Sequence, residues 1–143
     1  MLPEVLKKEA KLSCYLKLIM RIPYFADLPL PLLVEIVLLL REEIYLRNAI
    51  VAEAWVQAAG LMIVDNGVLA VYSKNHREQG HLIDGDFFGG ISLVTDQELC
   101  LSDVVAVTTS TILLLEKLRF RNLMRNHAQL FLEMKMQMKN RYQ

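Results

Sequence analysis

Between Glu78 and Glu116 the chain carries no lysine and no arginine, yet it holds Glu78, Asp84, Asp86, Asp96, Glu98, Asp103 and Glu116. Inside that acidic stretch, Phe88-Gly89-Gly90-Ile91-Ser92 holds two adjacent glycines, whose backbone a ligand can approach closely. A buried anion needs more than amides. Removing a full negative charge from water is expensive unless a cation pairs with it, and an arginine fork is the usual partner. This stretch offers glycine amides but no cation to pair with an anion. Other chemistries are weaker still. Ser92, Asp86 and His81 have the residue types of a hydrolase trio but no nucleophile-elbow pattern, so the chain reads as non-catalytic. His76, His81 and His127 are far apart, no metal-ligand spacing falls on any expected element, and no metal is expected. Cys14 and Cys100 show neither metal nor redox spacing, which reads as two thiols in a reducing compartment.

The elements that must position these residues follow from periodicity. Leu6, Ala10, Leu12, Leu16 and Ile19 predict a helix from about Pro3 to Met20, with proline in the first turn and lysines on the other face. A breaker-rich connector, Arg21 to Pro29, leads to a second, mostly apolar helix from about Pro31 to Glu42. Seven short runs then read as antiparallel strands: 43–46, 49–52, 61–65, 68–72, 79–82, 102–107 and 111–116. Asp65-Asn66-Gly67 reads as a hairpin turn, and Ser73 to Arg77 as a second turn. After Lys117 the period is helical again, with Phe120, Leu123, Met124, His127, Leu130, Phe131, Met134 and Met138 on one stripe, which fits one long helix or two with a break near Asn126 or His127. Met134 and Met138 pack inward on this reading, and Met136, off the stripe, is a candidate for a contact outside the domain. Helices, then a run of strands, then helices make an α+β fold.

Composition limits the partners. At 143 residues and 54% apolar, the chain is one domain with a packed core. Sixteen basic and sixteen acidic residues cancel, which points away from nucleic acid and anionic lipid. The basic residues gather at the two ends, from Lys7 to Arg21 and from Lys117 to Arg141, and read as solvated helix faces. The longest apolar run, Leu28 to Leu40, is too short for a bilayer span, so this segment is expected to be soluble and not to insert into a membrane. The helical pattern continues without punctuation to Gln143, as in a piece excised from a longer chain.

Several landmarks in order resemble one family. Leu2-Pro3-Glu4-Val5-Leu6-Lys7-Lys8-Glu9, Ile22-Pro23-Tyr24-Phe25 with Leu28, Tyr45, Asp65 to Tyr72, Gly85-Asp86-Phe87-Phe88-Gly89 and Ser102 to Val107 are similar to the cyclic-nucleotide-binding domains of tetrameric cation channels. That family includes hyperpolarisation-activated, cyclic-nucleotide-gated and ether-à-go-go-type channels. The resemblance implies an eight-stranded antiparallel β-roll, jelly-roll-like, with an N-terminal linker helix and C-terminal helices closing over the roll. It assigns 1–21 to the end of the channel linker and 22–143 to the domain, with the roll at about 43–116 and the closing helices at about 117–141. It places the phosphate turn and its surroundings at Phe88, Gly89, Gly90, Ile91, Ser92, Cys100, Leu101 and Ser102.

This chain departs from the family where the ligand is held. Nucleotide-binding members have a phosphate turn reading Phe-Gly-Glu and an Arg-Thr-Ala stretch after the loop. Here Gly90 stands at the glutamate position, and Cys100, Leu101 and Ser102 stand where arginine, threonine and alanine fall. Ala49 and Trp55 replace turn glycines, and a tryptophan is a poor substitute for glycine's backbone freedom. Trp55, together with Leu130, Met134 and Met138 of the closing helix, is a candidate cap or plug for the pocket, and an aromatic side chain in Arg141-Tyr142-Gln143 is another way to fill it.

The expected function is a cytoplasmic regulatory domain of a homo- or heterotetrameric channel at the cell membrane, working on the pore and linker of the same protein without cyclic AMP or cyclic GMP. Two alternatives stay open. One is a cyclic-nucleotide sensor with an altered polar set at Ser92 and Ser102, and the other is a soluble relative acting as a scaffold.

Overall fold

The computed structural model describes residues 3–97 and 99–142, apart from the side chains of 141 and 142. Helix α1 runs Glu4–Met20, with Glu4 in its first turn and Lys17 in its last, each of the sign that complements the helix dipole. A 3-10 turn, Pro23–Phe25, reverses the chain and buries Phe25 completely. Helix α2 spans Leu30–Leu39 and stops short of the expected Glu42. Leu40 swings to an extended backbone (ψ 133°), and Arg41–Tyr45 becomes strand β1. Arginine and glutamate are good helix formers, but tertiary context overrides propensity: β1 pairs with β8, backed by an Arg41–Glu116 ion pair.

Seven further strands follow: β2 (Ile50–Ala52), β3 (Gly60–Asn66), β4 (Leu69–Ser73), β5 (Glu78–Leu82), β6 (Phe87–Phe88), β7 (Ser102–Ala106) and β8 (Ser110–Glu116). They form two four-stranded antiparallel sheets, ordered β1-β8-β3-β6 and β2-β7-β4-β5. The architecture is the expected antiparallel roll with helices at both ends. Strand β6 was not expected, because two residues are too few to show a period.

Among the described residues, β4 and β5 are the one pair of consecutive strands that are also paired neighbours. The expected hairpin at Asp65-Asn66-Gly67 is therefore a corner instead. Asn66 stays in β3, Gly67 takes a positive φ (132°), and the chain crosses to the other sheet. Asp84 holds this corner by accepting from the Gly67 amide at 2.9 Å.

Alternation in the two central strands divides the core. Leu61, Ile63, Leu113 and Leu115 of β3 and β8 face the helices, while Met62, Val64, Ile112 and Leu114 face the second sheet. Burial on both faces explains why these strands read as continuous apolar runs. The helical layer gathers Tyr15 and Ile19 of α1, Ile36 of α2, Phe120 and Met124 of α3 (Lys117–Met124), and Met134 and Met138 of α4 (Ala128–Tyr142) around Phe25. Met136 is 57% exposed, away from that cluster.

Helix α1 is also tied to the roll by charge. Glu42 of β1 accepts from the Tyr15 hydroxyl at 3.0 Å and pairs with Lys11 at 2.8 Å. Lys11 and Tyr15, four residues apart, share one helix face. Leu30, Val34 and Leu38 of α2 form an exposed apolar stripe at the same spacing. Among the described residues, no helix is long and apolar enough to cross a membrane.

Candidate functional site

The glycine pair lies where the first sheet gives way to the second. Strand β6 pairs with β3, Phe87 opposite Ile63 and Phe88 opposite Met62, so alternation sends the two rings to opposite sides. Phe87 meets Tyr24 edge-on in the helical layer, at 6.1 Å between ring centroids. Phe88 packs with the inter-sheet core. Gly89 then takes φ 79°, a left-handed conformation that glycine adopts without strain, and the chain enters a 3-10 helix, Gly90–Leu93.

A cavity of about 410 Å³ opens beside this turn. Phe88, Gly89, Gly90, Ile91, Ser92, Cys100, Leu101 and Ser102 all line it, so the topology brings together the eight pocket residues expected from sequence. The remaining wall is Ala52, Ala58, Val71, Leu82, Leu99 and Val104. These six were not expected from sequence, although the alternation of Leu69 with Val71 on β4 offers a signal for same-face neighbours. Among the described lining residues none carries a charge. Burial pushes the Cys100 thiol pKa up, which keeps it neutral.

The polar groups of the wall are engaged within the protein. The Ser92 hydroxyl donates to the Gly89 carbonyl at 2.6 Å, and the Ser92 amide donates to the same oxygen at 3.1 Å. The Ser102 hydroxyl donates to Gln79 at 3.2 Å. Gly90 is buried, and a Cβ built there would stand 2.0 Å from the Tyr24 hydroxyl oxygen. The space for any side chain at residue 90 thus belongs to Tyr24.

The short helix is held from outside by α3. Arg121 donates to the carbonyls of Ser92 at 2.7 Å and Leu93 at 3.1 Å, and its two terminal nitrogens each meet Asp96 at 3.0 Å. Lys117 adds a 3.2 Å contact to the same carboxylate. Arg121 first and Lys117 second lower the Asp96 pKa to about 2. These two cations, expected to be solvated, fasten α3 to the end of the turn. Their spacing of four residues is the signal that placed them on one face.

The expected plugs lie elsewhere. Trp55 is 57% exposed and outside the cavity wall. It does adopt the left-handed backbone that a glycine would, at φ 69°, with its amide donating to the Cys100 carbonyl at 2.7 Å and Lys74 standing 5.9 Å from its ring centre. Asn48, beside Ala49, takes a second left-handed position (φ 72°). Met134 and Met138 are buried in the helical core, and Leu130 packs against that core. None of the three lines the cavity, because the sheet β1-β8-β3-β6 stands between the helices and the roll interior. The side chain of Tyr142, and Gln143, lie outside the described residues.

Ser92, Asp86 and His81 are not brought together either. Asp86 accepts from the Ile83 amide at 2.8 Å, and His81 pairs with Glu78 at 2.8 Å. No cluster of three metal-ligating side chains occurs among the described residues.

The roll, its glycine turn and its flanking helices define a ligand-pocket module of one kind. Residues 42–127, more than half of the chain, match the cyclic nucleotide-binding domain family, and the chain belongs to it. The solved structure of cAMP bound PfPKA-R (141-441) is similar, with a TM-score of 0.66 over 92% of this chain and 48% of that one. At 12% identity this likeness concerns the fold alone, and the chain spans about half the length of that structure. No curated protein sequence matches the chain.

Proposed function

We propose that this domain regulates the gating of a cation channel and that its pocket does not take cyclic nucleotide in the family's usual way. The observation that carries the second part is the wall of the 410 Å³ cavity, which is uncharged among its described residues. A cyclic nucleotide brings a full negative charge, and burying it against Phe88, Ile91, Leu99, Leu101 and Val104 leaves it unpaired. Charge-assisted hydrogen bonds contribute roughly 1.5–3 kcal/mol each. Lacking an arginine and a glutamate weakens binding by about two to four decades, at 1.4 kcal/mol per decade.

The gating part is supported by the resemblance to channel domains and by two features of the helices. Helix α1 is joined to the roll through Glu42, so a change in the roll has a direct route to whatever precedes α1. The exposed stripe of Leu30, Val34 and Leu38 suits a domain that packs against other parts of a larger protein. Gating requires a free-energy difference between two states of the domain, supplied here by packing or a partner rather than by cyclic nucleotide.

Calorimetric titration of the folded chain with cyclic AMP and cyclic GMP tests the pocket, and the expected dissociation constants are weaker than about millimolar, near −4 kcal/mol. A low-micromolar value overturns the reading and favours a sensor built on Ser92 and Ser102. Recording from membrane patches containing the full-length protein tests the gating role. The expected result is a cation current insensitive to cyclic AMP, and the absence of any current overturns it.

A further inference from the structure

The same cavity has a chemistry of its own, and assigning it another ligand rests on the reading that it does not take cyclic nucleotide. Its volume of about 410 Å³ falls within the range of roughly 300–1,000 Å³ usual for small-molecule sites. Such sites combine a mostly apolar wall with a few polar groups that fix orientation. Here Phe88, Ile91, Val71, Leu82, Val104 and Leu101 supply the apolar wall. At the mouth, Leu99 is 43% and Leu101 66% exposed, so the loop after the short helix presents leucines to water at the place where a ligand would cover them. A charged ligand gains nothing from this rim. An uncharged apolar one gains from every surface that it covers.

The polar inventory points the same way. The hydroxyl hydrogens of Ser92 and Ser102 are engaged with Gly89 and Gln79, so toward a ligand these oxygens act as acceptors of an O–H or N–H. The Cys100 sulfur is a soft, neutral contact. The cations nearest the turn, Arg121 and Lys117, are already paired with Asp96, and neither lines the cavity. We infer that the roll is a binding site for an uncharged, mostly apolar small molecule, held by apolar contact between β4, β7 and the glycine turn.

The test uses N-phenyl-1-naphthylamine, a neutral probe whose fluorescence rises in apolar surroundings, titrated into the folded chain. Val71→Trp and Ser102→Trp fill the cavity from β4 and β7, and thermal melting checks that each variant folds. The expected result is one saturable site in the native chain, lost in both filled variants and undisturbed by millimolar cyclic AMP. Absence of saturable binding overturns the inference and leaves the nucleotide-free reading standing. Equal binding in a folded filled variant also overturns it, because the probe then sits elsewhere, as in the groove of Leu12, Leu16 and Leu38 between α1 and α2. Competitive displacement by cyclic AMP overturns both readings together.

Discussion

Tyr24 and Gly90 show how a single contact reassigns a site. The hydroxyl of Tyr24 stands where the Cβ of any larger residue at position 90 would go, and the Tyr24 ring is wedged edge-on between Phe25 at 4.9 Å and Phe87 at 6.1 Å. Gly90 is then a packing requirement of the helical layer. Gly90→Ala is expected to lower the unfolding free energy by about 1–3 kcal/mol through overpacking. If Tyr24 is the cause, Gly90→Ala adds little on top of Tyr24→Leu, and a double-mutant cycle in urea reads the difference. Full additivity would exclude the contact. Restoring glutamate at 90 with arginine at 100 therefore fails while Tyr24 stays in place. The absence of charge at Gly90, Cys100 and Leu101 was legible from residue type, while their place on one cavity wall was read through the family resemblance. The role of Tyr24 was not, since sixty-six positions separate it from Gly90 and only the fold brings them together.

At the scale of elements, two helices grip the roll in the same manner. Lys11 and Tyr15 of α1 meet Glu42, and Lys117 and Arg121 of α3 meet Asp96, each pair one helical turn apart. Arg121→Ala is expected to cost about 1.5–3 kcal/mol through its bonds to the Ser92 and Leu93 carbonyls. Arg121→Lys recovers little of that, because one ammonium cannot span two carbonyls and a carboxylate. Chemical denaturation checks both. Asp96 sets the pH dependence: its pKa in the fold is depressed to about 2 from 3.8, so its contribution is present above pH 3.8 and fades as pH falls through about 2. The stability gap between the native chain and Asp96→Asn should close over that window. Element types were readable where the period was long, as in α1 and α4. The end of α2 and the two-residue β6 were not, because pairing across the sheet decides both.

For the whole molecule, the roll was recognisable from landmarks in order, but its division into two sheets was not. Asn66-Gly67 carries the local chemistry of a hairpin, and the partner chosen by β3 is β8 rather than β4. That choice has a consequence during synthesis. Strand β3 ends at Asn66 and β8 ends at Glu116, so the ribosome adds fifty residues before the pair can close. At 5–20 residues per second the delay is about 3–10 s. Throughout it Leu61-Met62-Ile63-Val64 lacks its main ladder partner, and so leaves an apolar, aggregation-prone strand edge unpaired. A chain ending at Thr109, without β8, is expected to be recovered in the pellet unless a chaperone is co-expressed, as sedimentation of lysates will show. The nascent domain is thus a client of whatever shields emerging chains for as long as its last strand is missing.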